Sequence, residues 1–404
     1  MKNLRKKGMS LLIAGLLMAS AVACYGNEGS SMESITSGSV AESVGSGASS
    51  EVQNSTLKEP ETLEETTVNV AENVVLANQQ ARLFRQIGRT FIAESDSKTL
   101  RCDFTCTGIA FNVVCKGDVK VKFWASAECY FTVYIDGVRM QERLHVKASD
   151  SNSFITVASF DTYGAREIRL VKQSQYAFAY SGISDVQILG SFGKRPKQKE
   201  RFIEYYGDSA LNGSNILKGG TSVKSTDGTL AFGYMSALAL NADCNIIGRG
   251  GMGLYPKNSS TEGMNEIWNL TSSSKAPGVQ EYDFSRTPDV VVVVLGGNDV
   301  SSDRYTPQRF KESIQVMIEN IRSIYGNDMK IVWCYGYSKS KMDYWDIEKA
   351  ALDEVNDGTI MYCPITCIAI PKSEGGDGLH TDVAGGAVQG AELAQFLEEN
   401  IYRE

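Results

Sequence analysis

A chain of 404 residues is longer than one ordinary core supports, so two domains with additional segments are expected. A formal net charge of -8, with 22% charged residues, suits a soluble and mildly acidic protein. It argues against nucleic acid as the main partner, because phosphate binding needs a concentrated basic surface.

The first residues carry Lys2, Arg5, Lys6 and Lys7, and the apolar stretch "MSLLIAGLLMASAVA" ends just before Cys24. This is the layout of a secretory signal. The run is short for a helix that must cross a hydrocarbon layer of roughly 30 Å. Ala21-Val22-Ala23 fits an ordinary cleavage site. Cys24 directly after it resembles a bacterial lipoprotein box, although Ala21 stands where Leu is usual. The expectation is a signal over 1–24, a lipid on Cys24 as the membrane partner, and an extracytoplasmic place at the bacterial surface or in the medium. Residues 25–67 are rich in Ser, Gly and Glu and nearly free of aromatics. Such a segment buries too little to fold and reads as a flexible tether.

Residues 68–197 read as all-β. "CDFTCTGIAFNVVC", "VKVKFWASAECYFTVYIDG" and "REIRLVKQS" alternate apolar and polar residues, with Asp136-Gly137 and Tyr163-Gly164 marking turns. Short strands at this spacing indicate a sandwich. From 198 to 404 the period changes. "RFIEYY", "DVVVVVLGG", "KIVWCYG" and "TIMYCPI" are buried-strand runs with helical segments between them. The clearest helix is "TPQRFKESIQVMIENIRSIYG", with Thr306 as cap, Pro307 in the first turn and Gly326 at the exit. Phe310, Ile314, Met317, Ile318, Ile321 and Ile324 form its apolar stripe. A last helix is expected from about Gly386 to Tyr402. The alternation predicts an α/β layer fold with a mainly parallel sheet.

Besides Cys24, eight cysteines are present. Most lie in apolar runs and read as small core residues, although export permits disulfides. Cys363-Pro-Ile-Thr-Cys367 has too few partners for a zinc site, since His145 and His380 are the only histidines, so no metal is expected. His145 reads as a surface or turn residue.

The second half holds the parts of a serine site: a hydroxyl, a base, an orienter and oxyanion donors. Ser209 follows "RFIEYY" through Gly207-Asp208, a tripeptide that is otherwise a common polar turn. His380 lies in "GGDGLHTDVAGG", and Asp377, three residues earlier, can meet its other ring nitrogen. Asn298 in "VVVVVLGGNDV" is a turn residue or an oxyanion donor. "NIIGRGGMG" offers a glycine N–H as a further donor, alongside the Ser209 N–H. Each piece alone is weak. Four in order at strand ends, where α/β sites collect, are not.

This set resembles the SGNH (GDSL-like) hydrolases: Ser209, a glycine of Gly248 to Gly251, Asn298, and Asp377 with His380. "IGRTF", "YIDGVRM" and "REIRLVKQS" before "EYYGDS" extend the likeness to the two-domain acetylesterases of carbohydrate esterase family 2. The resemblance implies a jelly-roll domain before an SGNH domain, and cofactor-free removal of acetyl groups from polysaccharides such as xylan or glucomannan. It implies Ser209 as nucleophile and His380 as acid/base. Asp377 or a backbone carbonyl orients the histidine, and Ser209, Gly248 or Gly250, and Asn298 hold the oxyanion. Trp345 and Tyr255 are candidates for aromatics that line the sugar cleft, or else ordinary core or surface rings. Ala210 and Leu211 stand where Ile-Thr is usual, and Thr381 where Pro is usual, which bears on substrate preference. Another acyl ester, of cell-wall glycan or lipid, and a glycan-binding role are the alternatives. A monomer is expected.

Overall fold

The computed structural model describes residues 72–76, 82–337 and 344–403. The signal, Cys24 and the 25–67 tether lie outside the described residues.

The first domain is built on a ten-stranded sheet. Its long members, Gly108–Ala125, Phe154–Lys172 and Ser181–Phe192, pair antiparallel. Along Val119 to Ala125 every second residue is buried and the ones between are half-exposed, the signature of a sheet with one face on a core. Phe111, Phe123, Phe131, Ile168, Leu170 and Ile183 fill that core. His145 lies in the strand Leu144–Val146 rather than in a turn. It is held there by stacking on Tyr130 (4.6 Å between centroids) and by Glu128 at 2.7 Å.

The second domain holds five parallel strands in the order Asp243–Gly248, Phe202–Gly207, Val290–Val294, Ile331–Tyr335, Ile360–Pro364. All five valines of Val290–Val294 are buried, as expected where both faces are covered. Phe202–Gly207 is first in sequence yet lies between two later strands. The order therefore reverses at its carboxyl end, which is where ligands bind in such sheets.

The helix Pro307–Tyr325 begins where Thr306 Oγ1 accepts the Arg309 N–H (3.1 Å), and ends at Gly326 with φ 88°. Phe310, Ile314, Met317, Ile318 and Ile321 are buried. Ile324 is 42% exposed, against the expected stripe, because the last turn brings Tyr325 inward instead, its hydroxyl donating to Glu204 at 2.9 Å. The last α-helix spans Val383–Leu397, earlier than expected, because Asp382 caps it through the Gly385 N–H (3.1 Å). Residues Glu398–Tyr402 continue it as a wider π-turn. Gly390 lets this helix pack closely, since a Cβ there would lie 2.7 Å from Met235 Cβ.

The domains meet along a buried polar seam. Arg139 pairs with Asp227 (2.7 Å), and Thr132 with Thr229 (2.9 Å). Arg89, 1% exposed, reaches Glu204 (3.1 Å), the Tyr206 hydroxyl (2.8 Å) and the carbonyls of Trp268 and Leu270 (2.6 and 3.0 Å). Of the eight described cysteines, seven are buried and Cys367 is exposed, and all carry free thiols. No helix among the described residues is long and apolar enough to cross a membrane.

Candidate active site

Phe202–Gly207 is buried throughout and delivers Gly207-Asp208-Ser209 to the carboxyl end of the sheet. A side chain at 207 would meet Leu211 Cδ1 at 2.5 Å and the Val294 carbonyl at 3.0 Å, so the chain can turn here only with glycine. The turn is tied by the Asp208 carboxylate, which accepts the Ala210 N–H (2.9 Å), and by Ser214 N–H to Ser209 O (3.0 Å). Ser209 is left half-buried, with its hydroxyl at the surface of the turn.

His380 comes from the loop before the last helix. Its Nε2 lies 2.7 Å from Ser209 Oγ, and its Nδ1 lies 2.6 Å from Asp377 Oδ2. The other Asp377 oxygen accepts the N–H groups of Leu379 and His380, each at 2.9 Å. The carboxylate, rather than a backbone carbonyl, therefore faces Nδ1. Partial burial works to raise the Asp377 pKa, but the ring and the two backbone donors outweigh it and hold the carboxyl below its usual value. An ionised partner at Nδ1 fixes the tautomer with its proton there, leaving Nε2 as an acceptor for the serine proton.

Asn298 follows Val290–Val294 by way of Gly296 (φ 115°). Its Nδ2 donates to Asp208 Oδ2 (2.9 Å) and to the Met252 carbonyl (3.0 Å), so it ties the serine turn to the glycine loop. Gly248 also sits at a strand end, where a Cβ would lie 1.8 Å from the Gly207 carbonyl. The Gly250 N–H is already given to the side-chain oxygen of Gln175, so of the two glycine candidates Gly250 has its donor engaged.

Of the two readings open for Tyr255 and Trp345, the structure places Tyr255 as a core ring. Tyr255 is buried, 6% exposed, with its hydroxyl on the Asp299 carbonyl (3.1 Å). Asp299 gathers the loop around it by accepting the Leu254 N–H (2.8 Å). Trp345 is half-buried and stacks on Tyr335 (3.8 Å, 5° between planes), with Tyr362 edge-on at 5.5 Å. Beside His380 is a hollow of about 10 Å³ lined by Ala210, Ser214, Tyr337, Leu379 and Gln389 among others.

Two buried acids behind the site escaped the sequence reading, although both sit inside its motifs. Burial pushes Asp208 up to about 6, against the Ala210 N–H, the His380 charge and the Asn298 amide. Burial pushes Asp299 up to about 7, against the Leu254 and Tyr255 N–H groups, and the nearby Asp208 adds to the rise. Only the end of each apolar run on an acid, in "YYGDS" and "LGGND", hinted at this.

Residues 203–361 match the family described as GDSL-like Lipase/Acylhydrolase. The matched span lies within the second domain. His380 lies beyond the matched span and reaches it through its contact with Ser209. The chain is also similar to the cellulase/esterase CelE of Acetivibrio thermocellus, 26% identical over 253 residues, which are 60% of this chain. It spans 30% of that protein's length. Among solved structures, it resembles a family two carbohydrate esterase from Cellvibrio japonicus (TM-score 0.71, 17% identity, 81% of this chain and 98% of that one). It resembles equally an acetyl xylan esterase from the rumen bacterium Butyrivibrio proteoclasticus (TM-score 0.70, 17% identity, 82% and 99%). A family two carbohydrate esterase from Clostridium thermocellum in complex with cellohexaose is similar at TM-score 0.66 and 22% identity, over 79% and 99%. At these identities the likeness is one of fold: an SGNH hydrolase sheet preceded by an all-β domain.

Proposed function

We propose that this protein is a carbohydrate acetylesterase of the family two type, with a jelly-roll first domain, that removes O-acetyl groups from plant polysaccharides such as xylan or glucomannan. The observation that carries the reading is the line Asp377–His380–Ser209, with contacts of 2.6 and 2.7 Å. Ser209 Oγ attacks the ester carbonyl as His380 Nε2 takes its proton, and Asp377 stabilises the imidazolium. The oxyanion falls to the Ser209 and Gly248 N–H groups and the Asn298 amide, which shares one of its two engaged protons with it. His380 then protonates the leaving sugar hydroxyl, and water activated by the same ring releases acetate. Export by the 1–24 signal and a lipid on Cys24 would hold the enzyme at the cell surface, and the mass of the mature N-terminus tests this.

The function is tested by acetate release from acetylated xylan and glucomannan, wild type beside Ser209→Ala. Release by the wild type and none by the variant is expected. No release by either overturns the reading. Retention of both proteins on a polysaccharide affinity gel would then favour a glycan-binding role, for which the cellohexaose complex of the Clostridium thermocellum relative is the specific support.

A further inference from the structure

The first domain reaches into the catalytic loop. Gln175 lies between the strands Phe154–Lys172 and Ser181–Phe192 of the β domain, and is 4% exposed. Its Oε1 accepts the N–H of Gly250 in the second domain. A Cβ at Gly250 would lie 3.1 Å from Gln175 Nε2 and 3.5 Å from Ser214 Oγ, and the Ser214 N–H is bonded to the Ser209 carbonyl. Gln175 therefore packs where the glycine loop meets the serine turn.

The segment that carries it is fixed on both sides. The Gln173 carbonyl accepts the Gly228 N–H (2.8 Å) and Thr105 Oγ1 (2.9 Å). The Tyr176 hydroxyl donates to Glu262 (3.1 Å), and its ring stands edge-on to Phe104 at 5.7 Å. Glu262 is itself held by Ser273 and by the Ser274 N–H (2.7 Å). A rigid mount holding a buried amide against one backbone N–H fixes the position of that N–H.

Gly250 is the middle of a short span. Two residues before it, Gly248 ends the strand beside Gly207. Two residues after it, the Met252 carbonyl accepts the Asn298 amide. We infer that Gln175 is a positioning residue for the oxyanion site: it pins the centre of the 248–252 loop from the other domain, and so sets both Gly248 and Asn298. The inference rests on the esterase reading for its effect on rate, but the contact itself does not.

Gln175→Met keeps the bulk and removes the acceptor, whereas Gln175→Glu keeps an acceptor oxygen. Arg249 donates to the carbonyl of the same Gly250 (2.8 Å). Two measurements are needed: amide hydrogen exchange of the 248–252 segment, and steady-state kinetics on a small acetyl ester. Gln175→Met should speed the exchange and lower kcat about 10- to 100-fold with KM within about twofold, as expected for a misplaced stabilising group. Gln175→Glu should recover much of both. Unchanged exchange in Gln175→Met refutes the contact. Faster exchange and a lowered melting temperature with unchanged kcat would make Gln175 a structural tie only. If wild-type protein hydrolyses no ester, the esterase reading falls by itself, and the exchange result still decides whether Gln175 holds the loop.

Discussion

Replacing Arg89 by Met removes one member of a buried pair that joins the domains. Glu204 is fully buried at 0% exposed, and keeps only neutral donors: Tyr206 (2.6 Å), Tyr325 (2.9 Å) and Asn245 (3.0 Å). The Trp268 and Leu270 carbonyls lose their donor as well. Breaking one side of a buried pair costs about 3–5 kcal/mol. In a chain of this size 1 kcal/mol moves Tm by about 2 °C, so a fall of about 6–10 °C is expected. Arg89→Met combined with Glu204→Gln removes the stranded charge, and should be more stable than the sum of the two single changes by about 1–3 kcal/mol. The assay is calorimetry of the four proteins. The wild type should show one transition, and Arg89→Met a split or broadened one, because the seam couples the two units. A Tm for Arg89→Met within about 1 °C of wild type, or strict additivity in the double variant, would refute the account of the seam.

Asn298→Ala removes a donor and leaves the Asp208 carboxylate with the Ala210 N–H. Loss of one oxyanion donor costs about 3–4 kcal/mol, so kcat on an acetyl ester should fall about 100-fold or more, and a rate near wild type would exclude Asn298 from the chemistry. Asp299→Asn tests the buried acid with a pKa pushed up to about 7. A carboxyl that holds its proton more tightly when folded loses stability as pH rises from about 4 to about 7, by at most about 4 kcal/mol here. Asn keeps an oxygen for the Leu254 N–H and cannot ionise. The fall in Tm between pH 5 and 8 should therefore be smaller in Asp299→Asn than in wild type, and an identical fall in both would refute the assignment.

Much of the second domain was legible in sequence because buried parallel strands read as plain apolar runs, and Val290–Val294 could hardly be anything else. Ser209, Asn298 and His380 were legible because each follows such a run or precedes a helix, at the end of the sheet where sites collect. Asp377 was legible because its distance from His380 is local. What could not be read were contacts that cross between domains. Nothing in "VKQSQYAF" distinguishes Gln175 from any polar loop residue, since its partner lies 75 positions away. The choice between cleft and core for Tyr255 stayed open for a related reason. A tyrosine in a glycine-rich loop looks exposed until a distant acid, Asp299, folds the loop beneath the surface. Ile324 shows the limit of periodicity, which gives the face of a helix and not which residue of its last turn is brought inward.

Asp377 and His380 stand on one turn, three residues apart, with the carboxylate anchored by the same backbone that carries the ring. The acid–base half of the site is thus nearly a peptide property. Only one of its two key distances, from ring to serine, is made by bringing together residues 171 positions apart. Damage to packing anywhere between those points would disarm the serine while leaving the contact between histidine and aspartate in place. The site would then fail as a broken alignment. A sequence searching for new substrates could reshape the serine side of the cleft freely, provided the small turn that makes the base arrived intact.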